Sequence, residues 1–406
     1  MLNSGTPGAV RRLGSDWDLT IIDPSPAHLY QPGLLFLPFG ARDDAALERP
    51  RARTLAPGAS WVEQEVERLA TAARRVVLAG GDTIPYDLLV IATGARLRPE
   101  LTPGLVEAGA RGDAHDFYTL QGAQALRAAL EHFAGGRLVV NVVEVPIKCP
   151  VAPLEFLMLA DEHFTRRGLR DRVELVYATP LDGAFTRPLA AALLGRLVER
   201  KGIRVETELA TAEVDPEQRV LRSFDGREVA YDLLVSVPTH SGARLIEDSG
   251  MGNELGFVPT DQRTLVAKGH DGVFVLGDAT DLPTSKAGSV AHFEADVLVE
   301  NLSRAMRGQA PEASFDGHAN CFVESGFGQA LLLDFNYDVE PLPGRYPLPG
   351  IGPFSLLEES RTNHLGKLAF RWLYWNALLP GRPLPVSAQF SLSGKRRPPL
   401  EAAAST

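Results

Sequence analysis

Short apolar runs alternate with helical stretches along most of the chain. The run RLVVNVVE (137–144) is valine-rich and almost unbroken, which predicts a strand buried on both faces. LEFLMLADEHF (154–164) follows with helical periodicity, and TLQGAQALRAALEHF (119–133) precedes it in the same style. Strand RVELVYATP, helix LAAALLGRLVERKG, strand IRVETEL, a polar hairpin and strand YDLLVSVP continue the alternation to Pro238. Strands that alternate with helices predict a parallel sheet covered by helices.

An earlier unit follows the same theme. DLTIID ends a strand at Asp23, short strands surround a turn marked by Gly80 and Gly81, and a buried strand leads into IATGA. YDLLVIATGARL (86–97) and YDLLVSVPTHSGARL (231–245) are alike, which predicts an internal duplication of architecture. VFVLGDA then runs a strand into Gly277 and Asp278 before a long helix, and from about Phe315 the chain is richer in aromatics and prolines. The expected fold is α/β, with two Rossmann-like units and a C-terminal segment. Residues 1–118 and 239–314 form the first unit, 119–238 the second, and 315–406 the C-terminal part.

Composition narrows the function. A length of 406 residues suits two or three domains, and a net charge of -10 argues against a nucleic-acid partner. The start, MLNSGTPGAV, lacks the basic and apolar regions of a secretory signal, and no stretch reaches the length of a spanning helix. The acidity is uneven. Between 361 and 400 lie Arg361, Lys367, Arg371, Arg382, Lys395, Arg396 and Arg397 without a single Asp or Glu. A basic, aromatic tail on an acidic body predicts attachment to an anionic surface, placing the protein peripherally on the cytoplasmic face of a membrane.

The first unit carries the parts of a dinucleotide site. NSGTPG (3–8) lays over G-x-G-x-x-G with Asn3 in the first glycine place, so Gly5 and Gly8 are the candidate phosphate-turn glycines. Asp23 then stands where an acid holds the ribose. The strand that should precede this turn is missing, which predicts a first unit without its central strand. Thr93 and Gly94 let the chain pass beneath an adenosine. Asp278, after Gly277, suits an acid that holds a ribityl chain. FAD is the expected cofactor.

Five motifs in order, HLYQPGLLFLPFG, PIKCPVAPLEF, FVLGDATDLPTSKAG, NCFVESGFGQALLLDFNYD and FRWLYWNALLPGRPLP, resemble the sulfide:quinone oxidoreductase family, flavoproteins of the two-dinucleotide-domain disulfide reductase superfamily. The likeness runs from about Leu19 onward.

The second unit departs from a nicotinamide site. Its turn reads Pro146-Ile147-Lys148-Cys149-Pro150, with no glycine until Gly168, and its next strand ends in Thr179 and Pro180 without a ribose acid. In place of a phosphate turn there is a thiol. A thiolate beside a flavin can attack a sulfur substrate, or its disulfide can receive sulfide and the resulting persulfide pass two electrons to the flavin, and Lys148 with the following helix N-terminus should favour that thiolate. The family resemblance implies a redox cysteine in each of two motifs, here Cys149 and Cys321, and a proton-handling acid at Glu155. Many relatives carry a third cysteine earlier, but residues 99–117 contain none, which excludes a cysteine link to the flavin there. Lys286 in TSKAG is expected near the flavin or quinone.

An acceptor is suggested by LGKLAFRWLYWNALLPG, where Leu365, Leu368, Ala369, Trp372, Trp375 and Leu379 recur at helical spacing while Lys367 and Arg371 lie elsewhere on the wheel. Such a helix in a leaflet would bring quinone to the flavin, and Phe327 is a candidate for stacking near it. The expected partners are sulfide or polysulfide, a quinone, the membrane surface and, in a homo-oligomer, a second copy of the chain. Two rivals stay open on the residues alone: an NAD(P)H:quinone reductase, and a cofactor-less scaffold that has lost the first strand.

Overall fold

The computed structural model describes residues 17–40, 47–382 and 387–396. The turn with Gly5 and Gly8 lies outside these residues. In the first unit, β1 (Thr20–Ile22) pairs in parallel with β2 (Ser60–Val62), Thr20 opposite Ser60. β3 (Leu89–Ile91) pairs in parallel with Val273–Val275, a segment that returns after the second unit. Among the described residues these remain two separate pairs. Residues of both, Ile22 and Val62 with Ile91 and Val275, share one apolar cluster. β4 (Ala95–Leu97) then leads toward the second unit.

That unit is a five-stranded parallel sheet. After β5 (Ala114–His115) and helix α1 (Leu120–His132) come β6 (Gly136–Val142), α2 (Ala152–Arg166), β7 (Val173–Ala178), α3 (Pro188–Arg200), β8 (Ile203–Glu206) and β9 (Leu233–Val237). The spatial order β5-β9-β6-β7-β8 puts β6 at the centre, with Leu138 opposite Leu233 and Val140 opposite Val235. Central placement explains the unbroken valine run, because both faces of β6 are covered and polar alternation would strand groups in the core. Leu138, Val139 and Val140 are fully buried.

Local chemistry sets the helix ends. Thr119 caps α1 by accepting the Gly122 N–H at 2.9 Å. α2 starts with Pro153 in its first turn and stops where Gly168 turns left-handed at φ +66°, the Leu169 N–H reaching back to Phe164 O at 2.8 Å. Phe156 on α2 is fully buried between Phe39 and Phe117, ring centroids 5.0 and 5.1 Å away. Truncating such a residue costs about 3–5 kcal/mol.

The chain returns through β10 (His240–Gly242), which pairs antiparallel with β4, and β11 (Val273–Val275), then enters α4 (Gly288–Met306). The hairpin β12 (Ala319–Gly326) and β13 (Gln329–Phe335) lays β12 against α2. A second hairpin, β14 (Gly344–Leu348) and β15 (Gly352–Leu356), and helix α5 (Arg361–Leu373), capped by Ser360, complete the C-terminal part. The two alike YDLLV segments therefore both supply parallel strands, β3 and β9.

Candidate active site

The turn between β6 and α2 holds Cys149 at φ +48°, a left-handed conformation that is uncommon for a side-chain-bearing residue. Two contacts keep it there. The Cys149 N–H donates to Lys286 O at 2.7 Å, and Lys148 and Lys286 form a parallel bridge, so the cysteine turn is stitched to the loop before α4. Cys321 comes from the other direction, on β12, which packs over the first turns of α2. Both thiols are free.

One carboxylate joins the two sulfur-bearing elements. Glu155 on α2 is fully buried; its Oε1 accepts the Glu324 N–H of β12 at 2.7 Å and also the Lys367 ammonium of α5. Lys367 donates further to Phe322 O at 2.9 Å. Glu155 Oε2 has no hydrogen-bond partner among the described residues. Behind this pair, His364 binds Glu324 at 2.9 Å.

The electrostatics bind these groups into one unit. Burial pushes the Cys149 thiol well above its ordinary range, Glu155 and Cys321 push the same way, and Lys367 opposes them. Cys321 is pushed up to about 12, by burial first and then by Glu155. Burial acts to lower the Lys367 ammonium, but Glu155, Cys149 and Glu324 outweigh it and hold the group above its usual value. The sequence expectation that Lys148 and a helix terminus would make Cys149 a thiolate is not met. Desolvation wins, and the cation acting on the sulfur is Lys367.

Lys367 and Lys395 also correct the picture of a uniformly lipid-seeking basic tail. Lys367 lies inward on Glu155, and the Lys395 ammonium is buried 2.5 Å from Asp334 Oδ2. Periodicity placed Lys367 on the outer wheel because it does not register a partner far off in sequence. The apolar face divides as well. Leu365, Leu368, Ala369 and Trp372 are exposed, whereas a π turn over Tyr374–Leu378 turns Trp375 and Leu379 into the core. Trp375 packs under Arg49 at 4.3 Å and edge-on to His28. Phe327 faces Lys201 at 4.9 Å and donates its N–H to Glu162, so its environment is the base of the second unit.

Across the stitch from Cys149 lies the Gly277–Asp278 segment. Gly277 is left-handed at φ +67° and its N–H donates to Glu294 Oε2 at 2.6 Å. Asp278 is buried, both of its carboxylate oxygens lack a hydrogen-bond partner among the described residues, and burial raises its pKa against the pull of Lys286 and Lys148. Lys286 Nζ donates to Asp278 O and Thr280 O and stands 3.8 Å over the Phe257 ring. Two bare acceptors on a buried acid match a group rich in hydroxyl donors, as the ribityl chain of FAD is. Thr93 is exposed at the end of β3, and Gly94, at φ +73°, has open space beside it. Asp23 ends β1 as expected, yet its carboxylate already pairs with Arg51 at 2.7 Å and with the Ser25 N–H.

Similarity to known proteins follows the same lines. The chain is 27% identical over 378 residues to the mitochondrial sulfide:quinone oxidoreductase of Mus musculus, covering 91% of this chain and 82% of that one. To the mitochondrial sulfide:quinone oxidoreductase of Dictyostelium discoideum it is also 27% identical, over 90% and 80% of the two chains. Over about nine tenths of its length the chain is similar to sulfide:quinone oxidoreductases. The solved sulfide:quinone oxidoreductase of Aquifex aeolicus shares the fold, with a TM-score of 0.78 at 20% identity over 93% of this chain and 89% of that one. No family model matches.

Sequence reasoning missed the inward role of Lys367, and it missed Glu294. Glu294 was hidden inside an ordinary helical stretch. Its signal is an acid on the face of α4 that the structure buries completely.

Proposed function

We propose that the protein oxidises sulfide at a Cys149–Cys321 pair and delivers the electrons, through FAD, to a membrane quinone. The observation that carries this reading is the convergence of Cys149 and Cys321, from distant parts of the chain, on Glu155 and Lys367, with the Cys149 backbone tied to Lys286 beside Gly277–Asp278. The absence of glycine from the Pro146–Pro150 turn, where Ile147 and Lys148 are buried, leaves no backbone cradle for a pyrophosphate and speaks against NAD(P)H as donor.

Asp278, Thr93, Gly94 and Lys286 would hold FAD, and Asp23 would serve its ribose only by sharing or leaving Arg51. Bound FAD supplies a two-electron acceptor. The protein's residues manage sulfur and protons. With the two cysteines joined as a disulfide, the sulfur of HS⁻ bonds to one Sγ while the S–S bond breaks. One cysteine then carries –S–SH and the other leaves as thiolate. Lys367 stabilises that thiolate by charge, and Glu155 Oε2, which has no other partner among the described residues, accepts the persulfide proton. Loss of two electrons to bound FAD would join the thiolate and the persulfide as a trisulfide; a second HS⁻ bonding to its middle sulfur frees one thiolate, which re-forms the disulfide at the other Sγ and expels HSS⁻, so two HS⁻ give HSS⁻, one proton and two electrons.

The exposed Leu365, Leu368, Ala369 and Trp372 on α5, with Leu348 and Ile351 on the β14–β15 hairpin, would rest in the cytoplasmic leaflet. Among the described residues no helix is long and apolar enough to cross a membrane.

The deciding experiment is an anaerobic titration of the purified flavin-loaded protein with sulfide and, separately, with NADH. Bleaching of the flavin by sulfide alone supports the reading; bleaching by NADH alone overturns it, and so does a protein that takes up no flavin.

A further inference from the structure

Three neighbouring parallel strands of the second unit, β5, β9 and β6, end on the same side of the sheet. The carboxyl ends of adjacent parallel strands frame the crevice where α/β proteins bind ligands. Here each strand delivers one polar side chain a few residues past its end: Tyr118 after β5, His240 after β9, and Lys148 after β6, next to Cys149. The three meet. The His240 and Tyr118 rings sit edge to face at 5.2 Å, and the Lys148 ammonium lies 5.8 Å from the Tyr118 ring centre.

Two of these groups are unsatisfied. His240 is 1% exposed, and its Nδ1–H donates to Pro238 O at 2.9 Å, which fixes the tautomer and leaves Nε2 as a bare acceptor. Among the described residues Nε2 has no partner, and neither does the Tyr118 hydroxyl, although both are buried. A buried polar atom without a partner is costly, so two of them together ask for a ligand. Tyr118 lies close enough to Cys149 that the thiol acts on its ionisation, after burial itself. Lys148 brings a cation that burial makes easier to deprotonate, with Asp278 and Asp116 holding the proton on.

We infer that Tyr118, His240 and Lys148 form the receiving subsite for the hydrosulfide anion. Lys148 supplies the charge, the Tyr118 hydroxyl donates to the sulfur, and His240 Nε2 accepts the S–H. The combination suits a small anion that is at once an acceptor and a single-proton donor. It suits neither a metal ion, which a neighbouring lysine repels, nor a phosphate, which has no use for a bare imidazole acceptor at neutral pH. Burial and Lys148 keep the imidazole neutral, its pKa lowered to about 3, so His240 accepts a hydrogen bond without becoming a charge. Lys286 acts on His240, and Asp278 and Asp116 act on Lys148, from the elements packed beside the cluster, while the exposed Glu144 accepts the Thr239 hydroxyl at 3.2 Å.

The inference rests on the sulfide-oxidising reading, and the test separates the two. Stopped-flow reduction of the flavin is followed against sulfide concentration in the wild type and in Tyr118→Phe, His240→Phe and His240→Gln. Loss of one hydrogen bond to substrate should raise the half-saturating sulfide concentration roughly tenfold in each Phe variant, while the limiting rate changes less than about twofold. His240→Gln, whose amide oxygen can accept, should recover part of the loss. Flavin content and reduction by dithionite report folding independently. If sulfide never reduces the wild type, the underlying reading fails. If it does, and both Phe variants keep the wild-type sulfide dependence, or lose only the limiting rate, the subsite is wrong.

Discussion

Lys367 on α5 donates to Glu155 on α2, 212 positions away in the chain, and through that contact the C-terminal helix holds the charge balance of both cysteines. The pair is buried, with Lys367 14% exposed and Glu155 not exposed at all. Neither partner can lose the other without leaving a desolvated charge.

Lys367→Met should therefore cost about 3–5 kcal/mol in urea unfolding, because it leaves Glu155 alone in the core. Adding Glu155→Gln should restore much of that stability without restoring reduction of the flavin by sulfide. Equal stabilities of wild type and Lys367→Met would contradict the pairing.

Alkylation of the reduced cysteines should report the desolvated thiols. Both are raised by burial, Cys321 to about 12, so the rate of iodoacetamide labelling should keep rising beyond pH 9 with no plateau near neutrality. Lys367 is the cation that opposes this rise, and Lys367→Met should label more slowly at every pH. A plateau below pH 7.5 would show that a thiolate is already formed in the resting protein.

Glu294 gives a stability signature with a defined sign. Burial is the main cause that pushes its carboxyl up to about 8 from an ordinary 4.5, with Asp278 adding and the Gly277 N–H and Lys286 opposing. The folded state thus holds a proton that the unfolded chain releases. This contribution is complete below about pH 4.5 and is lost as pH rises through 8. Glu294→Gln keeps an acceptor for Gly277 and removes the titration, so it should match the wild type near pH 5 and exceed it near pH 9 by a few kcal/mol. Urea midpoints at the two pH values check this, and a pH-independent difference would refute it.

The outward face of α5 makes a prediction about lipid. Leu365, Leu368 and Trp372 are 62, 40 and 67% exposed, so replacing all three with glutamate should leave the fold intact. Binding to anionic lipid vesicles in a sedimentation assay should fall at least about 100-fold, from lost apolar burial and added like charge. Lys395→Met, which breaks the buried pair with Asp334, should instead lower thermal stability.

Much of the site was readable from local order. The replaced glycine turn, the acid after VFVLG and the amphipathic wheel of α5 are signals of a few residues each, and Cys149, Asp278 and the exposed Leu365, Leu368 and Trp372 lie where such signals point. What local order misjudged were the charges. Lys148 beside Cys149 in sequence is less important to the sulfur than Lys367, and the basic tail is partly spent on Glu155 and Asp334.

By itself the sequence determined the alternation that builds a parallel sheet, because burial on both faces of a strand demands an unbroken apolar run. It also determined the loss of a phosphate cradle, since proline and side chains cannot do what glycine does at a tight turn. Only the tertiary structure decided which distant groups come together: Cys149 with Cys321, Glu155 with Lys367, Tyr118 with His240. Electrostatic effects grow when water is removed, and which atoms lose their water is a property of the packed chain, not of neighbours along it.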